Sequence, residues 1–352
     1  MGTMVSIILL ALITVVGANS WARDAGNNDS LYIGDVSDDT VKRFDATTGV
    51  FLGVFVTSTS NSLCSSGHIH GPRGLIFGHG SNLLVSNQNA NDPCSGDILR
   101  YNGQTGGFLG ETVPLTDLNA PPGPRGIILS ENHKILFVAN VGGPGINGKL
   151  QAFTKNGKFL ADLNPSGLTT EFHPRGVVIG PDGLLYVSNT PVLGANGGQV
   201  LRFDPKTLNF VDVFISDLNP SFDSGHLNRP EGLVFGPDGK LYVTSFRANT
   251  TDLDSIRIYD GTTRAYLARI ELDQPESIVG QGNRAFAQAL LFGPEGRLFV
   301  PISGNGPDTG QVRRYNMDTK TFDVFVSPGG YLGAGWFLTF GETDPATLEY
   351  GD

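Results

Sequence analysis

One position recurs along this chain with side chains able to do chemistry. It is the residue after a repeated Pro and before a repeated Gly: Arg73, Arg125, Arg175 and Glu231, with Gln288 and Trp336 at the matching places further on. Three guanidiniums brought to one place would suit a carboxylate, sulfate or phosphate, because each offers a planar fork of charged donors. Glu231 could pair with one of them or act as a general base. A structural reading stands beside this one: the forks bond carbonyls of neighbouring segments and Glu231 balances their charge. His68, His70, His173 and His226 all precede the same Pro positions. A trio of His70, His173 and His226 could bind zinc or serve as acid–base groups, or these are ordinary loop histidines. Glu231 and His173 are the candidate catalytic residues. Asn87, Asn140 and Asn189 could offer amide oxygens to Ca²⁺ or to sugar hydroxyls, or each could cap a turn with its own side chain. Asp35, Asp92, Asp97, Asp252, Asp254 and Asp308 add carboxylates, compatible with a Ca²⁺ site whose position the sequence leaves open.

The elements that must position these residues are read from an internal repeat. Pro72-Arg73-Gly74-Leu75-Ile76-Phe77-Gly78 returns at Pro124, Pro174 and Pro230, with weaker copies at Ala287 and Gly335. The starts 72, 124, 174, 230, 287 and 335 are separated by 48 to 57 residues, the size of a propeller blade. Each unit predicts four short strands. The first is the apolar run after the Pro. A Gly-Pro-Asp-Gly type turn follows, in which Pro presets φ and Gly supplies φ > 0. The second strand is Leu-Tyr-Val-Ser-like, and a long polar loop leads to the third, such as Gln199 to Phe203. An Asp/Asn-rich turn then leads to the fourth, such as Phe210 to Phe214.

The two ends are complementary. Leu31 to Asp35, Thr40 to Asp45 and Phe51 to Phe55 match second, third and fourth strands without a first, whereas Trp336 to Phe340 is a first strand with a degenerate continuation over Ala346 to Tyr350. Joined, they complete a sixth blade and leave no open sheet edge. The expected fold is all-β: a six-bladed β-propeller of four-stranded blades over residues 31–352, the ring closed by the C-terminal strand pairing with the N-terminal blade. Because strands alternate in direction, the loop into strand one and the loop between strands two and three share a face. Cys64 lies in the first kind of loop and Cys94 in the second, so the topology places them together: as a disulfide if the chain is exported, as two free thiols if it stays in a reducing compartment. On the chain-entropy picture the disulfide would contribute roughly 3–4 kcal/mol. The same face gathers the loops over which a ligand would bind: Gln88 to Gly96, Val141 to Gly148, Thr190 to Gly198, Phe246 to Asp254 and Gly304 to Gly310.

Composition narrows the class. With 48 Gly, 21 Pro and 22 Phe in 352 residues, the chain is rich in both turns and core-forming aromatics. The formal net charge of −10 repels phosphate backbones and anionic lipid, so nucleic acid is excluded as a partner. Val5 to Ala18 is an uncharged 14-residue stretch, too short to span a bilayer comfortably, followed by small residues that fit an A-x-A-like cleavage site. The expectation is a signal peptide (or N-terminal anchor) over 1–22, a linker over 23–30, and a monomeric mature chain without a membrane span in a secreted or periplasmic location. Asn28-Asp29-Ser30 and Asn249-Thr250-Thr251 are glycosylation sequons. No nucleophile-elbow, phosphate-loop or dinucleotide motif occurs.

The recurring Pro-Arg/Glu-Gly-Leu-x-Phe-Gly-Pro-Asp-Gly-x-Leu-Tyr-Val-Ser-Asn segments resemble the NHL-repeat and gluconolactonase-like six-bladed propellers, a broad group that includes streptogramin lyases. The resemblance covers roughly residues 31–350. In the gluconolactonase-like members it implies a channel Ca²⁺ held by Glu, Asn and Asp, several of them at the position after the repeated Pro. This chain keeps an acidic oxygen there only at Glu231, and Arg73, Arg125 and Arg175 would repel a cation. Peptidylglycine-processing lyases, which resemble this fold too, place His at that position, again unlike this chain. The sequence therefore leads to an exported propeller that binds a small anionic or carbohydrate-like ligand, or a protein, on its loop-rich face. A metal-assisted hydrolase or lyase of the lactonase/streptogramin-lyase kind and a non-catalytic structural or adhesive propeller are the alternatives.

Overall fold

The computed structural model describes residues 29–341 apart from 61, 79–80, 90–91, 143–145, 192–195, 219–223, 274–283 and 305–308. The expected signal segment, most of the linker, Asp308 and the continuation at 346–350 lie outside the described residues. The described chain forms six four-stranded antiparallel sheets. The first strands are Pro72–Gly78, Pro124–Leu129, Pro174–Ile179, Leu233–Phe235, Leu291–Phe292 and Gly335–Phe340. The last of these pairs with Ser30–Asp35, Leu31 opposite Phe340 and Ile33 opposite Leu338, so the two ends of the chain close one blade as the sequence predicts. We number this composite blade 1 and the others 2 to 6 in chain order. No described helix is long and apolar enough to cross a membrane.

The repeat motif follows from what the ring demands. A Cβ on Gly126 would stand 2.8 Å from the Arg175 carbonyl oxygen, and one on Gly176 2.5 Å from that of Glu231. Gly74 and Gly232 meet the next blade in the same way. Only glycine lets first strands approach this closely. Second-strand hydroxyls then bind the blades together: Ser86 Oγ donates to the Arg125 carbonyl and Ser188 Oγ to that of Glu231, each at 2.5 Å. The Gly-Pro-Asp-Gly turn closes locally, with Gly183 at φ +76°, Leu184 N–H donating to Asp182, and Tyr186 OH donating to the same carboxylate.

Between blades the core repeats one aromatic contact. A second-strand ring meets the next blade's first-strand Phe edge-on: Tyr32 with Phe77 at 4.9 Å, Tyr186 with Phe235 at 4.8 Å, Tyr242 with Phe292 at 5.2 Å, and Phe299 with Phe340 at 5.0 Å across the closure. Each such pair adds about 0.5–1.5 kcal/mol beyond its buried area. The Cys64–Cys94 disulfide forms with Cα atoms 5.6 Å apart, which puts the two kinds of loop on one face as the topology requires.

Candidate functional site at the channel mouth

The close first-strand packing carries the residue after each Pro to the axis, where the side chains meet. Arg175 Nη1 lies 3.0 Å from Glu231 Oε1, and both side chains are nearly buried. Trp336 reaches across from blade 1. Its ring has the Arg73 guanidinium 3.7 Å from its centroid and that of Arg125 5.2 Å away. Arg73 Nε donates to Gln88 Oε1 at 2.7 Å. Gln288 is buried, and its Nε2 donates weakly to the Phe286 carbonyl at 3.4 Å.

What these groups leave undone is informative. Arg73 Nη1, Arg125 Nε and Nη1, Arg175 Nε and Gln288 Oε1 are buried without a hydrogen-bond partner. Burying a charged donor unpaired is costly, so such groups are normally satisfied by protein or by a ligand. Burial pushes the Arg125 guanidinium down to about 9, with Arg175 and Arg73 adding repulsion and Glu231 opposing it. Burial likewise brings Arg73 down to about 10, although Glu231 and Asp39 pull it back. Three cations face one directly paired carboxylate, a positive mouth on a chain of net charge −10. The carbonyl-bonding alternative for these arginines is not what the structure displays: Arg73 uses a side-chain amide, Arg175 a carboxylate, and Arg125 has two open N–H groups.

A channel Ca²⁺ does not fit. Such an ion needs six to eight oxygen ligands. The axial ring offers Glu231, already paired with Arg175, and Gln288 Oε1, both within a field of three guanidiniums. Nor do the other candidate carboxylates assemble one among the described residues, where Asp92 stands with two imidazoles rather than with other carboxylates. Asp35 is held by Lys42 at 2.6 Å and by the Ala334 amide, Asp254 by Arg284 at 2.6 Å, Asp97 by Asn87 at 2.8 Å, and Asp252 by the Ala248 amide.

The three asparagines take the capping role rather than a place in the mouth. Asn87 Oδ1 accepts from His70 N–H, Asn140 Oδ1 from Gly123 N–H, and Asn189 Oδ1 from His173 N–H, each tying the loop into strand one to the end of strand two. All three are buried, and their amide nitrogens donate as well. The histidine trio is also corrected. His173 is wholly buried with Nδ1 at 2.8 Å from the Val141 carbonyl and Nε2 at 2.8 Å from Glu171, so both ring nitrogens are committed. His226 is exposed with φ +58°. His70 instead meets His68 and Asp92. The reason is that the three histidines stand two, one and four residues before their Pro, and nearness to the Pro does not fix how a loop turns its side chains. Sequence reasoning missed Gln88, which orients Arg73, and Asp39, whose charge acts on Arg73. Both lie in other segments, with no spacing rule linking them to the motif.

Fold and site together define a six-bladed β-propeller with an arginine-lined axial mouth. No protein-family model and no curated protein matches the sequence. Solved structures do match. Periplasmic gluconolactonase PpgL of Pseudomonas aeruginosa aligns with TM-score 0.54 and 17% identity, over 89% of this chain and 98% of that one. Virginiamycin B lyase of Staphylococcus aureus gives TM-score 0.52 and 13% identity over 86% and 82%. Hydrazine synthase of Kuenenia stuttgartiensis gives 0.55 and 19% over 82% and 74%. At these identities the likeness is one of fold.

Proposed function

We propose that this protein is an exported, monomeric propeller that binds a small anionic or carbohydrate-like ligand, its negative group seated among Arg73, Arg125 and Arg175. The observation that carries this reading is the set of buried, unpartnered N–H groups around one aromatic wall. A carboxylate, sulfate or phosphate would supply the missing acceptors, while Trp336 would cover an apolar or sugar face of the same molecule. Glu231 holds Arg175 in place, and Gln288 adds an acceptor for a ligand hydroxyl. Export rests on the signal segment over 1–22 and the disulfide, which persists in oxidising compartments. A ligand that binds only the folded state raises Tm, so the mature protein should melt higher with sulfate, phosphate or gluconate, and EDTA should leave this anion effect unchanged. Indifference to every anion would redirect the search to a protein partner.

A second reading is hydrolysis or elimination on a lactone or ester, favoured by the fold shared with a gluconolactonase and a lyase. Here the arginines would polarise a carbonyl oxygen and Glu231 would move a proton. Turnover of a lactone panel, abolished by Glu231→Gln while anion binding persists, would establish it.

A further inference from the structure

Away from the arginines, the disulfide brings together a second cluster on the loop-rich face. His68, His70 and Asp92 each direct one ligating atom to a common point, all within 4.8 Å of one another. Among the described residues this is the one group of three or more His, Cys, Asp or Glu so arranged. Asp92 Oδ2 lies 3.1 Å from His70 Nδ1 and 3.7 Å from His68 Nε2. Ligands about 2.0–2.1 Å from a tetrahedral ion stand roughly 3.3–3.4 Å apart, so these separations bracket the required geometry.

The surroundings fix the imidazoles as ligands require. His68 Nδ1 lies 3.1 Å from the Ser60 carbonyl. A carbonyl can only accept, so Nδ1 carries the proton and Nε2 presents its lone pair to the cluster. That Nε2 is buried and has no hydrogen-bond partner. On the far side of His70, Nε2 faces Asp39 Oδ2 at 3.9 Å, and Asp39 is itself anchored by accepting from Gly71 N–H at 2.8 Å. The carbonyl bonded to one imidazole supplies the outer-shell contact that orients metal-binding histidines, and Asp39 stands within one side-chain adjustment of doing the same for the other. The Cys64–Cys94 bridge joins the two segments, with His68 four residues beyond one cysteine and Asp92 two before the other. The Asp92 side chain is 6% exposed and that of His70 31%, so access is from the His70 side.

We propose that His68 Nε2, His70 Nδ1 and Asp92 Oδ2 form a binding site for a divalent transition-metal ion, with Zn²⁺ as its best match, and with a fourth position open to water. Two imidazoles and one carboxylate select Zn²⁺, Cu²⁺ or Ni²⁺ over the oxygen-seeking Ca²⁺ and Mg²⁺. The site uses none of the axial arginines, although Asp39, behind His70, also acts by its charge on Arg73. The ligand trio cannot be read from the Pro offsets, because one ligand, Asp92, comes from the loop after strand two of the same blade.

Titration of the mature, disulfide-intact protein with ZnCl₂ alone should show one equivalent bound, with a rise in Tm that EDTA reverses and CaCl₂ does not reproduce. Co²⁺ should give the visible absorption of a four-coordinate ion. His68→Ala and Asp92→Asn should each abolish stoichiometric binding, Asp39→Asn should weaken it about 10–100-fold, and His226→Asn should leave it unchanged. No bound equivalent in the wild-type protein, or full Zn²⁺ affinity in Asp92→Asn, would overturn the assignment. Because the first measurement uses the unaltered chain, a variant that fails to fold does not shield the proposal.

Discussion

Arg202, on the outer part of blade 4, and Arg125, at the axis, are treated in opposite ways. Arg202 grips Asp212 with two parallel bonds of 2.8 and 2.7 Å and lies against Phe214 and Tyr186. The hydrogen bonds to Asp212 raise its pKa above its ordinary value. Arg125 has a tryptophan nearby and two open donors, and burial pushes it down to about 9. Buried Nε groups without partners occur elsewhere, in Arg100, Arg229 and Arg257; Arg229 and Arg257 each commit another fork nitrogen to a carbonyl, and what sets the axial group apart is that three such guanidiniums converge. Arg202 has its charge answered by its own chain. The axial arginines are answered only in part, as the proposed anion site requires.

That contrast can be tested from its strongest consequence to its weakest. Replacing Arg125 and Arg73 together by Met should remove at least two charged hydrogen bonds to a bound anion, a loss of about 100-fold or more in affinity. Denaturant midpoints should stay level or rise, because unpaired charges leave the interior. Gly126→Ala should do the reverse. The added Cβ would meet the Arg175 carbonyl oxygen at 2.8 Å and force first strands apart, costing about 1–3 kcal/mol in urea unfolding.

Asp97 is where the contrast bends, since it is a buried carboxyl away from the arginine mouth with one oxygen unpartnered. Burial raises its pKa to about 7, against the bond from Asn87 and with help from Glu111. The folded state then keeps a proton that the unfolded chain loses near pH 4, so stability falls as pH rises from about 4 through 7. Asp97→Asn should flatten that slope and stabilise the protein at pH 8, as read by urea midpoints at pH 5 and 8. Smallest of all, Asp212→Asn should cost about 0.5–1 kcal/mol, because the pair it breaks is partly exposed, and should leave anion affinity untouched.

Much of this was legible in the residues, for reasons the structure makes plain. The repeated Pro-x-Gly is a steric requirement of adjoining first strands, so it marks each blade and places the following side chain at the axis. Turn chemistry and complementary ends gave the closure, and strand direction gave the disulfide. The same motif brings Arg73, Arg125, Arg175, Glu231 and Trp336 together. Loop conformation was not legible. His173 turns inward to Val141 and Glu171, whereas His70 turns toward Asp92, 22 residues along the chain. The asparagines admitted two roles from sequence, and only the positions of the loop amides decided for capping.

The central claim is that the axial arginines are held open for an anion. Calorimetric titration of sulfate and gluconate into the mature wild-type protein and into Arg125→Met tests it most directly. Saturable one-to-one binding to the wild type that is lost in Arg125→Met, with both proteins equally folded by circular dichroism, is the predicted result. Equal affinity in the two proteins, or no saturable binding of any anion to the wild type, would contradict it.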